Sequence, residues 1–352
     1  MYGIIDLGSN TVRLSIYKVR NNHLELFMSK KETIGLASFV NEHNELTLEG
    51  VEAAISVIRQ LLDFSKQTKV KETFIVATAS LRNVVNGREA LQQIELATER
   101  TVDLLSGEEE AMYDYYGVQL NHPITDGLIV DIGGASTEFV LVTDSVVQTA
   151  FALPFGSLNT YVNYVKGIIP SPSDADKIKK MIKKELRAKN LTVPDNIVIR
   201  GVGGSIRAAR KLTNHVNAFP TTNHTIHYDQ LKNLLSGLSE QHKESYLNLI
   251  RIVPERIHTI IPGMLILKTI MKVYDIHQVE VEYYGVREGY IARRLGIIEA
   301  VRPQFGLLTP LPPVDVSVAE DPLAIDREVT TENEDNETIP EGTHVSPDSP
   351  TE

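Results

Sequence analysis

The sequence predicts an α/β fold of two domains followed by an acidic tail. Apolar runs of strand length alternate with segments whose apolar residues recur at helical spacing, which is the pattern of mixed α/β proteins. The 352 residues also exceed what one compact core usually holds. One unit occurs twice, over 2–19 and 128–142: an apolar strand with an Asp near its end, a glycine turn and a second apolar strand. We therefore expect domains at 1–125 and 126–300.

The first expected domain begins with a hairpin. Residues 2–7 and 12–19 are rich in apolar and β-branched residues and flank the turn Gly8-Ser9-Asn10, and we expect a loop after them. The elements expected next are a helix over 48–67, a strand at 74–77, a helix over 87–100, a strand at 101–105 and a helix that opens with the glutamates 108–110.

The second expected domain repeats this alternation and leads into the tail. Its expected elements are the hairpin 128–142, a lysine-rich helix over 174–189, a strand at 197–200, a glycine turn at 201–205 that starts a helix, a helix over 255–273, a strand at 278–284 and a helix near 287–295. Residues 301–352 change to Pro, Thr, Ser and acidic residues, so we expect about 310–352 to be disordered.

Composition excludes several classes of protein. The chain has no Cys, which excludes disulfides, thiolate nucleophiles and Cys-ligated zinc and agrees with a reducing compartment. The N-terminal apolar run contains Asp6 and no cleavage signal, and no run of about 18 apolar residues occurs. We therefore expect a soluble, cytoplasmic protein with no membrane or nucleic-acid partner.

The net charge of −11 lies almost wholly in the tail, where residues 301–352 hold 12 acidic and 2 basic residues. The tail either improves solubility or occupies a cationic substrate groove when substrate is absent.

Two glycine turns, each preceded by an Asp, are the main candidates for a functional site. Their backbone N–H groups can face an anion. Glu138 adds a carboxylate on an apolar strand, where an unpaired charge is costly and a metal ion would offset that cost. Either turn alone could be a structural hairpin, but the pair indicates a phosphate site with a metal. The residues concerned are Asp6, Ser9, Asn10 and Thr11 in the first turn and Asp131, Gly133, Gly134, Ser136 and Thr137 in the second.

A third glycine turn, with Gly203, Gly204 and Ser205, follows a strand and opens a helix. Unpaired N–H groups at a helix N-terminus bind phosphate, although such a turn can equally serve only close packing. Phosphoryl transfer also needs a group that orients the nucleophile. The glutamates 108–110 could supply it, or they could be a solvated first turn.

These residues resemble the exopolyphosphatase and guanosine pentaphosphate phosphohydrolase family of the actin-like ATPase superfamily. The resemblance covers about residues 1–300. It rests on ordered motifs: IDLGSNTVRL (5–14), ATASLRN (77–83), SGEEEA (106–111), VDIGGASTE (130–138), GVGGSIRA (201–208), ERIHTIIPG (255–263) and YGVREG (284–289). It implies two actin-like, ribonuclease-H-like domains with the active site in the cleft between them.

The resemblance also implies roles for individual residues. Glu110 would be the catalytic base that activates water, and Arg82 would stabilise charge on the transferred phosphate, for which a guanidinium is suited. Without the motif, Arg82 would be taken for an ordinary surface ion pair. Asp6, Asp131 and Glu138 would hold Mg²⁺, or another divalent ion such as Mn²⁺. The turn residues would surround the phosphate.

Two departures from the family pattern stand out. Ala135 occupies a position where the family usually has Gly, and its methyl group could narrow the approach to phosphate. The chain also lacks the C-terminal helical domain of longer relatives and is similar to the short, two-domain form. A homodimer is expected from the same resemblance.

A polyphosphate substrate would need a cationic track. The candidates are Arg207, Arg210 and Lys211 after the third glycine turn, and Lys180 and Lys184 on the lysine-rich helix, which could equally be a solvated helix.

The expected function is Mg²⁺-dependent release of orthophosphate from the end of inorganic polyphosphate. The alternatives are 5′-phosphohydrolysis of guanosine pentaphosphate and binding of polyphosphate or an alarmone without turnover. A sugar or acetate kinase of the same superfold is disfavoured, because the SGEEEA motif points to water as the acceptor.

Overall fold

The computed structural model describes residues 1–239, 243–301 and 303. The strands are β1 (Tyr2–Leu7), β2 (Thr11–Arg20), β3 (His23–Thr33), β4 (Glu72–Ala77), β5 (Asp103–Leu104), β6 (Gly127–Ile132), β7 (Thr137–Thr143), β8 (Val146–Leu153), β9 (Ile199–Val202), β10 (Thr225–His227) and β11 (Gln278–Val281). The helices are α1 (Leu48–Gln67), α2 (Ala79–Arg82), α3 (Gly87–Thr98), α4 (Gly107–Asn121), α5 (Ser157–Tyr164), α6 (Pro172–Lys189), α7 (Gly203–Val216), α8 (Tyr228–Ser239), α9 (Lys243–Ile252), α10 (Ile260–Val273) and α11 (Val286–Arg294). Two short 3₁₀ helices cover Leu36–Phe39 and Pro254–Arg256.

The strands form two mixed sheets of the same design. The first has the order β3-β2-β1-β4-β5 and the second the order β10-β11-β9-β6-β7-β8. In each, three antiparallel strands come first in the chain, and the parallel neighbours of β1 and β6 are β4 and β9. The predicted repeat is thus confirmed. The ends of β1, β4, β6 and β9 carry the turns that form the candidate site.

Local sequence explains where the helices begin and which face they bury. The Thr47 side chain accepts a hydrogen bond from the Gly50 N–H, and the apolar residues of α1 recur at helical spacing on its buried face. At α4, the Ser106 hydroxyl accepts from the Glu109 N–H, and the Glu109 carboxylate accepts from the Ser106 N–H at 2.8 Å. This capping box occupies Glu109 and leaves Glu110 buried on the inner side of the helix.

One apolar core contacts both sheets. Helices α4 and α11 pack against each other, and their buried residues share a cluster with Ile4 and Val76 of the first sheet and Ile129 and Val140 of the second. The contact between the helices is at backbone distance: a Cβ on Gly289 would lie 1.9 Å from the Tyr113 carbonyl oxygen. The expected boundary at 125/126 falls between α4 and β6, and the division into two domains stays a prediction.

Some expectations differ from the structure. The segment expected to be a loop after residue 19 is strand β3, which lies at the edge of the first sheet and keeps Leu26 and Phe27 exposed. It lacks the clean alternation of a half-buried strand, which explains the error. The helix expected from 255 begins at Ile260, after a 3₁₀ turn. The expected disordered tail lies outside the described residues.

Within the described ranges, no helix has the length and apolar character needed to span a bilayer.

Candidate active site

The ends of the four strands open into a cleft with a cavity volume of about 170 Å³. Most residues predicted for the site line this cleft. They are Asp6, Ser9, Asn10, Thr11, Glu110, Asp131, Gly133, Gly134, Ser136, Gly203, Gly204, Ser205 and Arg207. The three glycine turns therefore face one shared space, although Ser9 and Ser205 are 196 positions apart in the sequence.

Carboxylates form one wall of the cleft. Burial raises the pKa of Glu110 to about 7, with smaller contributions in the same direction from Asp131 and Asp6, while Arg82 opposes the shift. Burial likewise raises the pKa of Asp131 to about 6, and it raises the pKa of Asp6. A carboxylate with a pKa near neutrality can accept a proton and release it again at physiological pH.

Arg82 holds Glu110 in place. Its Nη1 donates to the Glu110 Oε2 at 2.7 Å and to the Leu105 carbonyl at 2.9 Å. Its Nη2 lies 3.5 Å from the Ser136 hydroxyl and 3.7 Å from the Glu138 Oε1. The expectation that Arg82 stabilises charge on the transferred phosphate stays a prediction, and the hydrogen bond to Glu110 is a further contact that the sequence did not reveal.

Two further carboxyl groups are buried beside this wall. Glu138 is 2% exposed, and its Oε1 accepts no hydrogen bond from the described residues. Asp114 is fully buried; its Oδ1 accepts from the Val286 N–H at 3.0 Å. Burial, followed by the charges of Asp131 and Glu138, raises the pKa of Asp114 well above its usual value. Sequence analysis missed Asp114, although it lies four residues after Glu110 and therefore on the same helix face.

The N-terminus of α7 supplies backbone donors. No acidic residue occupies its first turn and no side chain caps it, so its first N–H groups are available to an anion. Gly203 has φ +89°, and a Cβ there would lie 1.9 Å from the Asp131 Oδ1. This conformation and this contact both require glycine, which explains the residue type at the turn.

Arginines form a second part of the lining, which we call the arginine wall. Arg13, Arg207, Arg256 and Arg287 line the cleft, and the last three have no ion pair within the described part of the chain. Burial, with the charge of Arg287 next, lowers the pKa of Arg207 to about 10. Burial also lowers the pKa of Arg256, while Glu255 and Asp131 oppose the shift. These positive charges are therefore available to an anionic ligand.

Sequence analysis had named only Arg207 of these four. Arg13 could have been found from the hairpin register, which pairs it with Asp6 across the turn. Arg256 and Arg287 lie within the motifs ERIHTIIPG (255–263) and YGVREG (284–289), but the sequence analysis assigned neither residue a role.

Several predicted residues do not line the cleft. The Thr137 hydroxyl donates to the Phe155 carbonyl at 2.6 Å inside the core. Arg210 is 8% exposed and donates to the carbonyls of Thr221 and Asn223, so its guanidinium is engaged in the fold. The other residues outside the lining are Arg82, Glu138, Lys180, Lys184 and Lys211.

The carboxylates of the cleft are the candidate ligands for a metal ion. Within the described residues, no three Asp, Glu or His side chains gather closely enough to hold a metal ion by themselves. The expectation that Asp6, Asp131 and Glu138 bind a metal ion together is therefore not supported by a three-ligand cluster. Mg²⁺ commonly takes one or two carboxylates and completes its shell with water and substrate phosphate. Asp6 and Asp131, which line the cleft, fit that smaller requirement.

Comparison with known proteins settles the family. The model of the Ppx/GppA phosphatase family matches residues 15–296, which is most of the chain. The chain belongs to this family. Among curated proteins, this Ppx/GppA member is 25% identical over 303 residues to exopolyphosphatase 1 of Mycobacterium tuberculosis, covering 83% of this chain and 88% of that one. It is 23% identical to a putative exopolyphosphatase of Haemophilus influenzae, covering 82% and 89%.

Solved structures show the same fold. The Aquifex aeolicus Ppx/GppA family member matches with a TM-score of 0.69 and 25% identity, over 83% of this chain and 96% of that one. An exopolyphosphatase from Cytophaga hutchinsonii matches with a TM-score of 0.74 and 18% identity, over 86% and 99%. The predicted actin-like α/β fold, the predicted family and its hydrolase class are thereby confirmed.

Proposed function

We propose that this Ppx/GppA phosphatase is an exopolyphosphatase, which hydrolyses the terminal phosphoanhydride of inorganic polyphosphate and releases orthophosphate. The observation that carries the proposal is the composition of the cleft: a buried glutamate with a pKa of about 7 lines the same space as Arg207, Arg256 and Arg287, which have no ion pair within the described residues. A polyanion with a reactive end matches both walls, because its phosphates need cations and its terminal phosphorus needs an activated water. The names of the relatives agree with this substrate.

The residues of the cleft account for the reaction as follows. The glycine turns and the N-terminus of α7 bind the terminal phosphate through backbone N–H groups. Glu110, held by Arg82, accepts a proton from the attacking water, and the phosphoanhydride bond breaks to leave a chain one unit shorter. The arginine wall binds the phosphates that are not transferred.

A divalent ion completes the proposal. Asp6 and Asp131 would hold Mg²⁺ or Mn²⁺. When bound, such an ion neutralises the charge that develops during phosphoryl transfer. A cytoplasmic location and a homodimer remain part of the proposal on the strength of the sequence alone.

The substrate is tested by measuring orthophosphate release from tripolyphosphate, long-chain polyphosphate and guanosine pentaphosphate, each with Mg²⁺ and with excess chelator. The proposal expects the largest kcat/KM for an inorganic polyphosphate and loss of activity on chelation. A higher kcat/KM for guanosine pentaphosphate would replace it with the nucleotide phosphohydrolase. Binding of all three without any release would instead indicate a non-catalytic sensor.

A further inference from the structure

A second cavity lies outside the catalytic cleft, between α6, α8 and α10. Its volume is about 150 Å³, and none of its lining residues lines the cleft. Most of the lining is aliphatic: Pro172, Ala175, Leu235, Leu238, Ile261 and Leu265 are among these residues. Within the described residues, no aromatic side chain contributes to the lining. The cavity therefore suits an aliphatic group and offers no stacking partner to a nucleobase.

Two of the residues that line the cavity are lysines. Lys179 and Lys268 belong to its lining, and the charges of Lys179, Lys232 and Lys272 act on Lys268. Burial, followed by these like charges, lowers the pKa of Lys268. Lys179 pairs with Asp176 at 3.1 Å, but both side chains are well exposed, so water screens that pair. Within the described residues, Lys232, Lys268 and Lys272 have no ion pair.

These two properties together define a ligand. Like charges without counter-charges repel one another, and an anion would relieve that repulsion. Inorganic polyphosphate would pair with the lysines but would bury none of the aliphatic surface of the cavity. A ligand with both an aliphatic chain and an anionic end buries apolar surface and pairs the lysines at once.

We propose that this cavity, which we call the lysine-rimmed cavity, binds a small aliphatic anion whose chain lies against Leu235, Ile261 and Leu265 and whose carboxylate or phosphate head contacts Lys179 and Lys268. The site is separate from catalysis, but α10 connects the two. Ile261 lines the lysine-rimmed cavity and Thr259, two residues earlier, lines the cleft.

The test is isothermal titration calorimetry of the full chain with octanoate and octyl phosphate, below micelle formation, with octanol and tripolyphosphate as further probes. Saturable one-to-one binding of octanoate or octyl phosphate, and none of octanol, is the expected result. Which of the two heads binds more tightly distinguishes a carboxylate ligand from a phosphate ligand.

Two variants assign that binding to this cavity. Lys268→Met removes the charge and Ala175→Leu fills the cavity, and each should weaken binding at least tenfold. Lys177→Met, on an exposed position of α6, is the matched control and should bind as the unmodified chain does. Thermal denaturation and orthophosphate release from tripolyphosphate verify that each variant folds, and they test the proposed function independently of this site.

Absence of saturable binding would overturn the inference. So would binding that survives both Lys268→Met and Ala175→Leu, and so would octanoate binding that is lost when tripolyphosphate occupies the catalytic cleft.

Discussion

The two walls of the catalytic cleft differ in charge and in how that charge is held. On the acidic wall, burial raises the pKa of Glu110 and Asp131, so that these groups sit close to a change of protonation at neutral pH. On the basic wall, Arg207 stays charged at neutral pH, because its pKa of about 10 lies well above neutrality. Within the described residues, no ion pair joins the two walls. From this comparison we propose that one wall moves a proton and the other holds negative charge.

The largest effect is expected from the acidic wall. Glu110→Gln keeps the shape of the side chain but cannot accept a proton, so kcat for orthophosphate release should fall by about 100-fold or more, with tripolyphosphate binding retained. Steady-state kinetics and calorimetry measure the two quantities. Glu108→Gln is the control, since Glu108 is exposed on the same helix turn. An unchanged kcat in Glu110→Gln would remove this residue from the chemistry.

The basic wall should affect binding more than turnover. Arg256→Met removes one charge from the cleft, and the lost charge-assisted contact, worth about 1.5–3 kcal/mol, should raise KM for polyphosphate about tenfold or more. The salt dependence of KM should also become less steep. Arg251→Met, on an exposed position of α9, provides the matched control. If kcat fell while KM stayed constant, the assignment of the two walls would be reversed.

The pH dependence tests the pairing of Glu110, on the acidic wall, with Arg82, which lies outside the lining of the cleft. Because Glu110 acts as a base only when it is ionised, kcat/KM should rise with pH through about 7. Arg82 lowers the pKa of Glu110, so Arg82→Met should raise that pKa and move the acid limb of the profile to higher pH. A limb that stays in place, or moves to lower pH, would contradict the pairing of these two residues.

The smallest effect is expected from a substitution of Ala135, in the second glycine turn. Its carbonyl accepts a hydrogen bond from the Asn159 Nδ2 at 2.9 Å, which holds the turn in place. Ala135→Gly should therefore change KM by no more than about fivefold, or roughly 1 kcal/mol. The same kinetic assay measures it, and a change of 100-fold would show that the methyl group shapes the phosphate site.

Local sequence was sufficient for elements whose burial follows a period. Helix α1 begins and ends where its apolar spacing predicts, and the repeated glycine hairpins identified both halves of the cleft. Strand β3 was not predicted, because apolar and polar residues do not alternate regularly along this edge strand, which keeps apolar residues exposed.

The site was less accessible to sequence than the fold. Glu110, the glycine turns and Arg256 all lie in motifs, but the motif around Arg256, which begins in a short 3₁₀ turn, gave no sign that its side chain lines the cleft. Arg82 shows a further limit: its motif located it correctly near the site, but only the structure shows its hydrogen bond to Glu110. Sequence thus located the residues that carry motifs but did not reveal the partners of their side chains.

The backbone contact between α4 and α11 limits the movements that the enzyme can make during its catalytic cycle. Helix α4 carries Glu110 and helix α11 carries Arg287. Because glycines of these helices lie against the backbone of the other helix, no layer of side chains separates the two helices and lets them slide. A widening of the cleft therefore cannot draw Glu110 and Arg287 apart. Orthophosphate must leave through displacement of segments outside this pair of helices, with the base and this arginine travelling together as one rigid unit.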